Sequence, residues 1–288
     1  MSLTEFAPAK VNLFLHVGRP GADGRHPVCS LVVFANVGDT LEAEPTAVPA
    51  LAVDGPFADQ AGPLADNLVT RALALAETPP MRVLLCKDLP AASGLGGGTA
   101  DAGAALRLAA RLYPEVTTDQ IETAARRLGA DGLMCLHARP ALAEGEGEIL
   151  SAAPVMPVLP AVLINPGVPS PTGAVYRAYD LSDGAFTADR PDLPDRFMNV
   201  AQFVDFLRLQ RNDLAAPAID LAPEIGKALA TVAARGGCLL ARMSGSGATV
   251  FGLFATPAEA ERAAATVAAE RPGWWVRSCL LNADATAA

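Results

Sequence analysis

The chain has 288 residues, 51% of them hydrophobic, with 22 Lys and Arg against 31 Asp and Glu, a formal net charge of −9. That balance argues against nucleic acid as the main partner, and the five scattered cysteines, with no CxxC pair, read as reduced core residues. No apolar stretch reaches the roughly 20 residues needed to span a bilayer and no signal peptide precedes Lys10, so a cytoplasmic protein with no membrane partner is expected, long enough for two modest domains.

From Lys10 to Val17 apolar and polar residues alternate, which predicts a strand with Val11, Leu13, Leu15 and Val17 on one side. Residues 18–27 read as a turn-rich loop, Val28–Val37 as a second strand, Gly38-Asp39 as a turn and Thr40–Glu44 as a third. Residues 45–64, rich in proline and alanine, read as an irregular surface excursion. Asp66 or Asn67 caps a helix through Glu77. A short strand at Val83–Cys86 leads into four glycines within five residues, Gly94, Gly96, Gly97 and Gly98, and then into an alanine- and leucine-rich helical run to Tyr113. A further helix starts at Thr117 or Thr118 and ends at Gly129. Ala130-Asp131-Gly132 reads as a sharp turn, and 140–150 as strand, turn, strand. Three prolines in 154–160 suggest a domain junction, giving domains of 1–155 and 156–288. Thr172 caps a helix to Tyr179, and the polar stretch 183–195 reads as a mobile loop. Helices are expected over 197–209, 222–234 and 257–271. Strands are expected at 238–243, 249–255 and 274–281, and residues 282–288 are expected to fray. The second half is thus compatible with a split βαβ sandwich, and there is no internal repeat.

Strand, glycine loop and helix in that order have a physical reading. Glycine lets the backbone approach a ligand without a Cβ clash, and the free N–H groups of the following helix favour an anion. The Thr99 hydroxyl caps the helix or touches a phosphate or a metal ion. The competing reading is a mobile surface loop. No Gly-Lys-Ser/Thr follows, which rules out a P-loop, and the glycine spacing fits a dinucleotide fingerprint poorly.

Pro90-x-x-x-Gly94-Leu95-Gly96-Gly97-Gly98-Thr99-Ala100 resembles the glycine loop of the GHMP kinases, small-molecule kinases without a Walker P-loop. Pro8–Leu15 resembles their N-terminal strand and Met243–Phe251 their C-terminal glycine motif, so three ordered blocks cover nearly the whole chain. The resemblance implies an α+β GHMP kinase fold, an N-terminal α/β domain with an antiparallel β unit plus a C-terminal split βαβ (ferredoxin-like) domain. It implies ATP and Mg²⁺ as cofactors. ATP would be bound by Pro90, Ala91, Ala92, Ser93, Gly94, Leu95, Gly96, Gly97, Gly98, Thr99 and Ala100, and Thr99 is the candidate metal ligand.

By the same resemblance Lys10 sits in the site and holds the reacting groups, although a strand lysine by itself reads as a solvated edge charge. Asp131, in Gly129-Ala130-Asp131, becomes the general base; by itself it reads equally as an Asx turn or N-cap. Relatives follow this aspartate with Val-Pro where this chain has Gly132-Leu133, so Gly132 is expected to loosen the backbone there. Asp101, in the first helical turn, is explained by the helix dipole.

Asp23-Gly24-x-His26, Ala143–Leu150 and Asn165-Pro166-Gly167 with Thr172 and Tyr176 resemble the branch of the family that acts on a cytidylated methylerythritol. The implied substrate residues are Asn12, Arg25, His26, Thr172, Tyr176, Gly245 and Ser246. His26 would read the cytosine edge, and Tyr176 with Arg25, which stands in an aromatic position, would clamp the ring. Asn212-Asp213 matches a family pair read as structural. The rival readings are another GHMP kinase, for homoserine, mevalonate or a sugar, and a catalytically silent nucleotide-binding module. The assembly is expected to be a monomer or homodimer.

Overall fold

The first strand, β1 (Leu3–Val17), starts earlier than its alternation suggests and is buried at every position from Ala7 on. Its two faces are therefore both covered, and Lys10, Asn12 and His16 lie inside the protein rather than on a wet side. The computed structural model describes residues 2–182 and 187–283. The chain forms two units. One comprises Met1–Lys10, Gly38–Ala91 and Gly96–Arg139, the other Val11–Val37, Ala92–Leu95 and Pro140–Ala288.

In the first unit, β2 (Val28–Pro45) runs without a break through Gly38-Asp39, which corrects the expected turn. Glycine is needed there for a different reason: a Cβ at Gly38 would collide with the Ala7 carbonyl oxygen of β1. The proline-rich excursion also contains structure, namely β3 (Ala50–Asp54) and one 3-10 turn at Ala58–Gln60. β3 pairs in parallel with β4 (Met81–Cys86), as an edge strand whose short, partly exposed alternation gives little signal. β4 also pairs antiparallel with the second half of β2. Met81, Val83 and Leu85 point inward while Arg82 and Leu84 are exposed, the period-2 pattern of a half-buried sheet.

Four helices complete this unit. α1 (Leu68–Leu75) is capped by Asn67, whose side-chain oxygen accepts from the Val69 N–H, and it stops two residues short of Glu77. α2 (Gly97–Leu112) has Gly96 as its N-cap, so Thr99 is not the cap but lies inside the first turn. α3 (Thr118–Arg126) starts with a capping box of Thr117 and Gln120. The apolar run after Asp131 is helical, as α4 (Gly132–His137). Gly132 does not loosen the chain. A Cβ there would collide with the Ala125 carbonyl oxygen of α3, so the residue is glycine because two backbones touch.

In the second unit, the first half of β2 pairs with β5 (Ala141–Glu144), which pairs with β6 (Ile149–Ala152). β7 (Leu159–Asn165) is buried at all seven positions, as a central strand should be. It is followed by α5 (Thr172–Asp180), α6 (Val200–Arg208), α7 (Ala215–Leu221) and α8 (Pro223–Ala233). α7 is an addition to the expected helices. Pro171, not Thr172, is the N-cap of α5, and no side chain caps it. β8 (Leu240–Met243) and β9 (Val250–Leu253) form a hairpin, α9 (Pro257–Glu270) starts with a Thr256/Glu259 capping box, and β10 (Trp275–Leu281) closes the sheet. The strand order β10-β7-β9-β8, antiparallel throughout, is the split βαβ arrangement. Its core joins Val162 and Ile164 to Ile225, Val232, Val250, Ala260 and Val267 of the helices and β9.

Of the stretch expected to be a mobile loop, residues 183–186 lie outside the described residues. Residues 187–195 have no helix or strand but are tied down by side chains, with Arg211 on Thr187, His16 on Asp189 and Arg190 on Glu144. Of the expected frayed end, residues 284–288 lie outside the described residues.

Candidate active site

Lys10 and Asp131 meet in the first unit. The Lys10 Nζ lies 3.0 Å from Asp131 Oδ2, with the lysine side chain 8% exposed and the aspartate 36%. β1 supplies the lysine, and the start of α4 supplies the acid. Asp131 makes no side-chain cap to α4, so its carboxylate is not spent on helix N–H groups. Gly96 sits against the lysine in a left-handed conformation with φ +65°, where a Cβ would lie 3.4 Å from the Cβ and Cε of Lys10. The turn that starts α2 is therefore laid directly on the lysine stem, and a helix start leaves its first N–H groups without intrahelical partners. Cys135 lies behind Gly96. Burial, more than the nearby Asp131, pushes its thiol far up, so it stays protonated filler.

A second ionic cluster lies under the same helix start, and sequence reasoning missed it. Lys87, at the end of β4, puts its Nζ 2.5 Å from Asp39 Oδ2 and 2.8 Å from Asp101 Oδ2. All three side chains are at most 4% exposed. Asp39 Oδ1 also accepts the N–H groups of Asp88 and Leu89 at 2.6 and 2.8 Å. The cluster thus fastens the entry of the glycine loop, through Asp39, to its exit, through Asp101. Asp101 is accordingly a buried structural acid; it lies beyond the first turn of α2, which holds no acidic residue, so the helix dipole does not account for it. Burial drives its carboxyl well above the usual range despite Lys87, and its Oδ1 has no partner. Burial also pulls on Lys87, but Asp101 and Asp39 together raise it, so it stays charged. A glycine before an aspartate looks like a turn, which is why Asp39 was hidden.

The glycine loop passes from the first unit at Ala91 to the second for Ala92–Leu95 and returns at Gly96. Ala91 N–H donates to the Gln60 side chain at 2.9 Å, in the first unit. In the second, Thr249 N–H donates to Ser93 O at 3.0 Å, and Ser244 Oγ donates to Gly94 O at 3.0 Å. The Asn12 N–H in turn donates to Ser244 Oγ at 3.1 Å. Asn12 gives its side-chain N–H to Ser30 Oγ at 2.8 Å and keeps a buried Oδ1 without a partner. Gly245 lies next to that oxygen, since a Cβ on it would be 3.3 Å away. Ser246 Oγ and Thr172 Oγ1 are 2.9 Å apart, and Ser170 Oγ donates to Ser246 O. The structure therefore brings Asn12, Gly94, Gly245, Ser246 and Thr172 into one neighbourhood.

His26 and Tyr176 form a separate neighbourhood of the same unit, with ring centroids 4.9 Å apart. His26 Nδ1 faces Gly18 O at 2.9 Å and Nε2 faces Asp180 Oδ1 at 3.3 Å, so both ring nitrogens meet acceptors. Asp180 is a neighbour that no spacing announced. Arg25 points outward: it is 69% exposed and paired with Glu146 at 2.8 Å. His16 is buried, donates from Nδ1 to Asp189 O at 2.8 Å and has no partner at Nε2. Burial lowers its pKa, with Arg211 and Arg242 adding to the shift and Asp213 opposing it.

Two family profiles match the chain, "GHMP kinases N terminal domain" over residues 67–138 and "GHMP kinases C terminal" over residues 192–272. A 4-diphosphocytidyl-2-C-methyl-D-erythritol kinase of Caulobacter vibrioides is 50% identical, covering 98% of this chain and all of the relative. One of Methylobacterium radiotolerans is 49% identical over 97% of this chain and 99% of its own length. The crystal structure of a 4-(cytidine 5'-diphospho)-2C-methyl-D-erythritol kinase superposes with a TM-score of 0.78 at 34% identity, covering 98% of this chain and 100% of that one. Homoserine kinase from Cytophaga hutchinsonii shares the fold, with a TM-score of 0.63 at 18% identity over 97% of this chain and 94% of its own.

Proposed function

Since the chain belongs to the GHMP kinases, and among them to the 4-diphosphocytidyl-2-C-methyl-D-erythritol kinases, we propose that it transfers the γ-phosphate of ATP to the 2-hydroxyl of 4-diphosphocytidyl-2-C-methyl-D-erythritol, in the non-mevalonate route to isoprenoid precursors. The observation that carries the reading is the Lys10–Asp131 pair at 3.0 Å, with the start of α2 lying on the lysine. Asp131 takes the proton of the tertiary hydroxyl as its oxygen bonds to phosphorus. The bond from phosphorus to the bridging oxygen breaks, and ADP departs. Lys10 neutralises charge on the transferred group and keeps the acid aimed. The N–H groups of residues 96–99 hold the phosphates, while the Ala100 N–H closes the first helical bond to Gly96 O, and Pro90–Leu95 form the rest of the ATP loop.

Mg²⁺ would supply neutralisation of phosphate charge when bound. Among the described residues no three His, Cys, Asp or Glu side chains converge on one point. This suits a cation carried chiefly by the nucleotide, and we assign the Thr99 hydroxyl in the first turn of α2 as the protein oxygen. On the acceptor side we assign Asn12, Thr172, Gly245 and Ser246 to the methylerythritol unit and His26, Tyr176 and Arg25 to the cytosine. Residues 1–155 then carry the nucleotide and the catalytic pair, and 156–288 much of the acceptor site. No helix among the described residues is long and apolar enough to cross a membrane, in keeping with work in the cytoplasm on a small soluble substrate. A coupled ADP-release assay with the cytidylated alcohol tests the reading. Turnover is expected with it and not with homoserine or mevalonate; ADP release only with one of those would overturn it.

A further inference from the structure

Asn212-Asp213 is a pair that the catalytic reading leaves without work, and its surroundings are unusually specific. The Asn212 side-chain N–H groups donate to Met243 O at 2.8 Å and to Gly245 O at 2.9 Å. Carbonyl oxygens only accept, so both donors of the carboxamide are spent on this one turn. Its Oδ1 accepts from the Leu214 N–H at 3.0 Å, which fixes the orientation of the amide. Asp213 meanwhile binds β1: its Oδ2 accepts from the Val17 N–H at 2.7 Å, and its own N–H donates to Leu15 O at 2.9 Å. Arg211 O accepts from the Leu15 N–H at 2.9 Å. Three consecutive residues thus join β1 to the β8–β9 turn.

The two carbonyls that Asn212 grips flank a single residue, Ser244, which is fully buried. Its hydroxyl donates to Gly94 O in the glycine loop and accepts the Asn12 N–H of β1. A hydroxyl has one proton to give, and here the direction is set, because Gly94 O cannot donate and Asn12 N–H cannot accept. One side chain therefore touches both the loop read as the ATP cradle and the residue read as an acceptor ligand.

We propose that Ser244, locked by Asn212, is a positioning residue that couples nucleotide binding to acceptor binding. Ordering the glycine loop around phosphates fixes Gly94 O, hence Ser244 Oγ, hence the Asn12 segment. Acceptor binding at Asn12 runs the same chain backwards, since coupling between two ligands is reciprocal. The inference rests on the phosphoryl-transfer reading above.

Calorimetry on the full chain tests it. The affinity of a non-hydrolysable ATP analogue is measured with and without saturating cytidylated methylerythritol, for the wild type, Ser244→Ala and Asn212→Asp. The second variant keeps the size of the side chain but replaces the nitrogen that makes both donations by an oxygen that only accepts, facing carbonyls. In the wild type each ligand is expected to tighten the other by about five-fold or more, the lower end of common coupling strengths. In Ser244→Ala the factor should fall to near one while the affinity of each ligand alone changes by no more than about two-fold, within which range a general loss of structure would not stay. Asn212→Asp should reduce the factor in the same way, and melting curves check that both variants fold. A wild-type factor of one, or an unchanged factor in the folded Ser244→Ala or Asn212→Asp variant, overturns the proposal. Failure of the wild type to bind the cytidylated alcohol at all is a different result: it overturns the functional reading, and this inference with it.

Discussion

Two lysines of the first unit each meet carboxylate oxygens, and their surroundings give them opposite tasks. Lys87 faces two acids, Asp39 and Asp101, in a cluster almost closed to water, and Asp39 spends its other oxygen on two backbone N–H groups. Lys10 faces one acid, Asp131, whose side chain is 36% exposed. The first arrangement is expensive to disturb, because any lost partner leaves a buried charge. The second leaves a carboxylate open to a visitor, which is what proton transfer to a positioned acid requires. Type and distance of the charged groups are nearly the same in both; exposure and the number of partners separate a fastening from the pair proposed to react.

The sharpest way to break that contrast is to change the acid of each cluster's lysine, or the lysine itself, and to read both rate and stability. Asp131→Asn should lower kcat by about a hundred- to ten-thousand-fold, with the unfolding midpoint nearly unchanged; steady-state kinetics and a melting curve check both halves. Lys87→Met should reverse the pattern, costing about 3–5 kcal/mol in urea denaturation by stranding Asp39 and Asp101. A Lys87→Met protein as stable as the wild type would show that the cluster is not the fastening described.

Gly132→Ala lies between the two. Its methyl would press on the Ala125 carbonyl, costing about 1–3 kcal/mol, and would shift Asp131, so denaturation and kcat should fall together. His16 extends the comparison to a buried titratable ring with no counter-ion at its free nitrogen. Its folded-state pKa is lowered, so below the unfolded value of about 6.5 the unfolded chain binds a proton that the native state refuses. Stability is therefore lost as pH falls below about 6.5. His16→Gln should remove that loss, so the fall in urea midpoint between pH 7 and pH 5 should be smaller in the variant than in the wild type. Smallest of all, Arg25→Ala, at an exposed pair with Glu146, should leave kcat unchanged and raise KM for the cytidylated alcohol by the few-fold that about 0.5–1 kcal/mol of cation–π contact supplies.

Much of this was legible before any coordinates. Strand, glycine loop and helix, the β8–β9 hairpin and most helix starts follow from periodicity and capping residues such as Asn67 and Thr117. What stayed hidden are contacts between distant segments. Asp39 and Lys87 are 48 residues apart in the chain, and no local pattern announces their meeting. Gly38 and Gly132 looked like turn and slack because glycine is ambiguous: it serves equally where the backbone bends and where a second backbone leaves no room. The role of Ser244 was hidden in the same way, inside a motif legible as a hairpin turn, because its partners Asn12 and Gly94 come from elsewhere in the sequence.

The contact between Gly132 and Ala125 has one more implication. Most reactive acids owe their aim to the side chains around them, which drift and repack over generations. Here the peptide next to Asp131 is braced against a peptide of α3, so the place of the acid's backbone is set by contact between two main chains, whatever side chains surround it. Surrounding bulk can be trimmed or enlarged while Asp131 stays in register; swapping this one hydrogen for a methyl is the change such tolerance does not reach.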